Sequence, residues 1–140
     1  MGNRPTETQK KEVFARAKGL CEYCLSPEKY SNSTFEIEHI HPLSKNGKTI
    51  LSNLALACPG CNKFKSHRTE AFDSQTNQTV LLYNPRRDVW KKHFKWSANF
   101  TQIVGLTAKG RITVEMLKLN RKNLLNLRKL LISGGEHPPK

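Results

Sequence analysis

The sequence predicts a small α+β fold, and three observations carry that expectation. Four cysteines fall into two pairs of identical spacing, Cys21-Glu-Tyr-Cys24 and Cys58-Pro-Gly-Cys61. The run Thr34-Phe-Glu-Ile-Glu-His-Ile40 alternates apolar and polar residues, as a half-buried strand does. Stretches with helical spacing of apolar residues precede the first cysteine pair and close the chain. With 140 residues, a single domain over 1–140 is expected, its core at about 20–70 and a C-terminal extension at about 72–134.

Each element has a local reason. Residues 1–5 read as a loose end. Thr6 and Gln9 have capping-box spacing, Val13, Phe14 and Ala17 offer an apolar face, and Gly19 is a stop, so a first helix is expected at about 7–18. In the strand, Phe35, Ile37 and His39 share one face and Glu36, Glu38 and Ile40 the other. Pro42 ends that pattern, and Asn46-Gly47 is a turn signal. Asn53-Leu-Ala-Leu-Ala57 runs into the second cysteine pair, and Asn62-Lys-Phe-Lys-Ser66 reads as the start of a short basic helix. Residues 73–77 form a polar loop, 80–83 a short strand and 99–104 another before Gly105. Trp90, Phe94 and Trp96 lie among lysines; filling a second small core is favoured over nucleic-acid contact. Leu117, Leu124 and Leu131 recur every seven residues, giving one helix over about 112–132 that packs on its own domain, with a seam for a partner helix as the other reading. Residues 137–140 read as a loose tail.

The cysteine pairs suit a tetrahedral metal site. Two residues between ligands let a tight turn aim both thiolates at one ion, and the second pair completes four-coordination. Disulfides would fit an exported protein, and redox pairs would want a thioredoxin-like βαβ pattern. A structural zinc at Cys21, Cys24, Cys58 and Cys61 is therefore expected. With every position filled by sulfur it acts as a staple rather than a catalyst.

Charge bounds the partner. The chain carries 24 Lys+Arg against 11 Asp+Glu, a net +13. Such an excess suits a polyanion, because lysines and arginines that neutralise phosphates release counterions; the bland reading is a solubilising surface. No apolar run approaches the roughly 18–20 residues of a membrane span. The N-terminus lacks a signal-type apolar stretch, so a cytoplasmic protein without membrane contact is expected.

The pieces between the knuckles are Glu38-His39 on a strand, Pro42 soon after, Asn53-Leu54 before the second pair, and Cys61-Asn-Lys-Phe-Lys65. In that order and inside a C-x2-C frame, they resemble the HNH endonuclease family. Tyr83-Asn-Pro-Arg86, Trp90-x-x-His-Phe94, Gly105-Leu-Thr107 and Gly110-Arg-Ile-Thr-Val114 resemble a tail found in one bacterial and cyanobacterial branch of it, so the likeness spans roughly residues 20–137. The resemblance implies a ββα-metal (His-Me finger) core with zinc knuckles, an N-terminal helix and a C-terminal helical extension. It implies His39 as general base, Glu38 and Asn62 (at a helix start) as ligands of a catalytic Mg²⁺ or Mn²⁺, and Asn53 holding the hairpin loop. Many relatives have Asp where this chain has Glu38.

Elementary chemistry suits those roles. A neutral imidazole of pKa near 6.5 takes a proton from water around pH 7, and carboxylate and amide oxygens suit a hard cation. Adjacent strand residues point to opposite faces, so a bend or bulge near Pro42 is needed if Glu38 and His39 are to meet one phosphate. Lys63, Lys65, Arg68, Arg86 and Arg87 are candidate contacts to a nucleic-acid backbone, with a solvated face as the bland reading. His41 reads as a polar loop histidine and His67 as surface; His93 and His137 have no assigned role. The function expected is hydrolysis of phosphodiesters in DNA, with 5′-phosphate and 3′-hydroxyl ends implied by the resemblance. Phosphate contacts do not separate DNA from RNA, and cutting both strands with one small site would call for a homodimer. The alternative is a zinc-stapled nucleic-acid-binding module without catalysis.

Overall fold

Thr6 opens the first helix with a complete capping box: its hydroxyl accepts from the Gln9 N–H, and Gln9 Oε1 accepts from the Thr6 N–H. The computed structural model describes residues 3–140, so the first two residues of the expected loose end lie outside the described residues. The chain divides into two compact units. The first comprises residues 1–69 and 84–87, the second residues 70–83 and 88–140.

In the first unit, helix α1 covers Glu7–Arg16, with Ala17 as C-cap. It stops short of the expected 18 because Lys18 and Gly19 both turn left-handed, and the Gly19 N–H bonds back to the Phe14 carbonyl at 3.1 Å. Of the expected apolar face only Val13 is buried; Phe14 remains 43% exposed. Strands β1 (Glu36–His39) and β2 (Leu54–Ala57) pair antiparallel, Glu36 opposite Ala57 and His39 opposite Leu54. All four residues of β2 are buried. The alternation in β1 misleads about burial at one position: Glu38 is as buried as Phe35 and Ile40, although Glu36 on the same face is exposed. Asn46-Gly47 is not a two-residue hairpin turn. Asn46 caps a 3-10 turn, Leu43–Lys45, inside a long β1–β2 loop, and Gly47 lies so close to the His41 carbonyl that a Cβ would meet its oxygen at 1.8 Å. Helix α2 runs Pro59–Lys65, with Cys58 as N-cap and Pro59 in the first turn, where its missing N–H costs nothing. Asn62 thus sits one turn inside the helix rather than at its start.

The second unit opens with the hairpin β3 (Glu70–Asp73) and β4 (Gln78–Leu81). Asp73 Oδ2 accepts from the backbone and hydroxyl of Thr76, which closes the loop at 73–77. Helix α3 (Trp90–His93) leads into β5 (Phe94–Trp96), paired with β6 (Ile103–Gly105). Trp90 stacks on Phe94 and Trp96 with centroids 5.1 and 5.5 Å away, so these aromatics build a second core. The single long helix expected at 112–132 is two, α4 (Ala108–Met116) and α5 (Lys122–Ser133). Lys118 is left-handed, and Asn120 pairs its amide with both backbone groups of Ile103 at 2.7 and 2.8 Å, which pulls the chain out of the helix. Leu117 caps α4 while Leu124 and Leu131 lie on α5; all three are buried, and the break between the helices leaves no continuous seam for a partner helix among the described residues. The tail is anchored: His137 Nε2 bonds the Phe100 carbonyl at 2.9 Å, and its ring meets Trp96 edge-on. No helix among the described residues is long and apolar enough to cross a membrane.

Candidate nuclease site and zinc staple

The two knuckles meet in the first unit. The four cysteine sulfurs lie within 4.8 Å of one another, all buried, with Cys24 and Cys58 at 3.7 Å. A tetrahedron with Zn–S bonds of about 2.3 Å has edges of about 3.8 Å, so the donor set fits a structural zinc. Burial pushes the Cys21 thiol up, while hydrogen bonds from Cys21 and its neighbours pull Cys58 down. The first knuckle is laced to β2 in both directions: the Glu22 N–H donates to the Leu56 carbonyl and the Leu56 N–H to Glu22 Oε2, each at 2.8 Å.

Beside the staple lies a cleft of about 250 Å³ lined by residues that include Glu38, His39, Ser44, Asn62 and His67. The β1 register is unbroken, and the chain bends immediately after it, at Ile40 and His41. Glu38 and His39, neighbours of opposite strand parity, both line this cleft. His39 Nε2 and Thr49 Oγ1 are 2.8 Å apart, and partial burial lowers the imidazole pKa below its usual 6.5. Glu38 is buried, with Oε1 accepting from the Tyr23 hydroxyl and Oε2 3.3 Å from Lys65 Nζ. Burial raises its pKa; the Lys65 ammonium and the Tyr23 hydroxyl oppose the rise. Asn62 reaches across from α2, its Nδ2 donating to Glu36 at 2.7 Å. Asn53 spans the loop with three bonds: Oδ1 accepts from the His41 N–H, and Nδ2 donates to the carbonyls of His41 and Lys48, at 2.8–3.0 Å.

The basic candidates divide. Lys63, Arg68 and Arg87 are exposed. Lys65 is 1% exposed, bonded to the Ile40 carbonyl at 2.8 Å and paired with Glu38. It therefore meets no external phosphate, which corrects its assignment as a backbone contact. Arg86 is likewise committed to an ion pair with Glu22, partly buried, its pKa lowered by that burial to about 10. His41 is held in the loop by the Lys45 carbonyl.

Sequence reasoning missed Tyr23, Glu36 and Thr49, and misread Lys65. The Asn62–Lys65 interval of three, which puts both on one helix face, was the available signal for Lys65. Tyr23, Glu36 and Thr49 carry no signal of their own.

An antiparallel hairpin followed by a helix, with four clustered cysteines at its helix end, defines a compact zinc-knuckle class of domain. Residues 21–68 match the family model described as HNH endonuclease. HNH domains are in general nuclease domains. No curated protein and no solved structure matches the chain.

Proposed function

We propose that the first unit is a metal-dependent endonuclease hydrolysing phosphodiester bonds in DNA. The observation that carries this reading is the one cleft lined by Glu38, His39 and Asn62. His39 is the general base. Its lowered pKa keeps it neutral at pH 7. With Nε2 engaged by Thr49, it acts as a base when Nε2–H donates to that hydroxyl, leaving the lone pair on Nδ1 to take the proton of the attacking water.

Glu38 and the Asn62 amide oxygen hold a Mg²⁺ or Mn²⁺, whose hard-donor preference they suit. When bound, that ion neutralises the phosphate and stabilises the departing 3′ oxygen. Lys65 and Tyr23 favour the ionised form of Glu38 against its burial and aim the carboxylate, and Asn53 keeps the loop carrying Thr49 closed over β1. Lys63, Arg68 and Arg87 contact the nucleic-acid backbone and position it without reading sequence.

A zinc-stapled binding module without catalysis is the second reading, favoured by the net +13 charge alone. Supercoiled plasmid with Mg²⁺, Mn²⁺ or EDTA, cut by wild type beside His39→Ala, separates the two. Metal-dependent nicking lost in a folded His39→Ala protein that still binds DNA supports the endonuclease. Binding without nicking by the zinc-loaded wild type supports the module.

A further inference from the structure

The Asn62 amide has two ends of opposite chemistry, and only one of them can face a cation. A carboxylate accepts hydrogen bonds and donates none when ionised. Glu36 Oε1 lies 2.7 Å from Asn62 Nδ2, so the NH₂ end is the one turned to Glu36. The amide is planar, with oxygen and nitrogen on opposite sides of its axis. Fixing the nitrogen on Glu36 leaves Oδ1 on the other side. Asn62 lines the cleft, whereas Glu36 is exposed and is not among the residues lining it.

We propose that Glu36 is a positioning residue that turns the Asn62 amide so that its oxygen faces the cleft; this rests on the reading of Asn62 as a ligand of the catalytic divalent ion. The backbone makes the pairing specific. Glu36 opposes Ala57 at the end of the hairpin from which α2 departs, and Asn62 lies one turn into that helix. The two side chains therefore meet through the hairpin register. An exposed polar contact of this kind adds little to folding stability. Its consequence is directional: an unanchored amide presents either end, and the NH₂ end repels a cation.

The test uses the full zinc-loaded chain with Glu36→Ala, Glu36→Gln and Asn62→Ala, matched first by thermal unfolding. Mn²⁺ affinity is read from the EPR signal of free Mn²⁺. Residues that orient a metal ligand typically carry about 10–100-fold in metal affinity, and Glu36→Ala should lose that much. Glu36→Gln still offers an acceptor oxygen without charge and should recover most of the loss. In metal-free protein, the Asn62 side-chain ¹H–¹⁵N pair should move in Glu36→Ala and stay near its wild-type position in Glu36→Gln. Equal defects in the two Glu36 variants would overturn the proposal in favour of a purely electrostatic or direct ligand role. Wild-type Mn²⁺ affinity in Glu36→Ala beside a weakened Asn62→Ala would overturn it while sparing Asn62. Wild-type affinity in Asn62→Ala would remove Asn62 from the metal site, and the metal-free amide signals would still decide whether Glu36 orients it.

Discussion

The Tyr23 hydroxyl, carried between the two cysteines of the first knuckle, donates to the buried carboxylate of Glu38. The zinc staple thereby reaches the cleft through one side chain. Tyr23→Phe keeps the ring that fills the core and removes the hydroxyl that makes this bond. The variant should fold and hold one zinc, yet nick plasmid roughly tenfold more slowly, in line with the loss of a bond that orients a ligand. Zinc content by atomic absorption beside initial nicking rates checks this.

Lys65 is the more costly partner to remove. It and Glu38 are both largely buried and 3.3 Å apart, and breaking a buried pair leaves one charge without compensation. Lys65→Met should cost about 3–5 kcal/mol of stability, read as a shift in the urea midpoint. The exposed Lys63→Met, two residues away and so on the opposite, solvent side of α2, should leave the midpoint where it is and weaken DNA binding instead.

Activity should have an acid limb set by His39. Burial holds its pKa below 6.5, so single-turnover cleavage should rise with pH through a value under 6.5 and level off above it. The linkage runs the same way. Between the lowered folded value and 6.5 the unfolded chain binds more protons, so the stability due to a neutral His39 is complete above 6.5 and is lost as pH falls. Thr49→Val removes the group that fixes the tautomer and should lower the plateau rate more than it moves the midpoint.

Cys58→Ser should unfold the first unit, because zinc-binding energy is folding energy in a small domain. The readout is amide exchange: the protected amides of β2 and α2 should become fast. A folded, active Cys58→Ser protein would overturn the zinc assignment.

Much of the first unit was legible from spacing. The paired knuckles, the capping box at Thr6 and the alternating strand at 34–40 depend on residues a few positions apart, so their local geometry is written in the sequence. Burial was less legible. Alternation gives no sign that Glu38 is buried, and Lys65 is expected at a nucleic-acid backbone, yet each is hidden because the other is there. The heptad of Leu117, Leu124 and Leu131 was equally misleading. Nothing within 112–132 signals a break as a proline would; the demand comes from β6, where the edge of Ile103 takes the Asn120 amide.

By itself, then, the sequence determined the cysteine frame, the first helix and the strand that carries Glu38 and His39, through short intervals and local capping chemistry, while the hairpin is expected only from the family resemblance. Tertiary structure alone decided which of those side chains are buried, which cations are spent inside, and where the last helix divides. The reason is physical: those outcomes rest on partners far apart in the chain. Tyr23 and Glu38 are 15 residues apart, Glu36 and Asn62 are 26, and Ile103 and Asn120 are 17. Only folding brings them to hydrogen-bond distance.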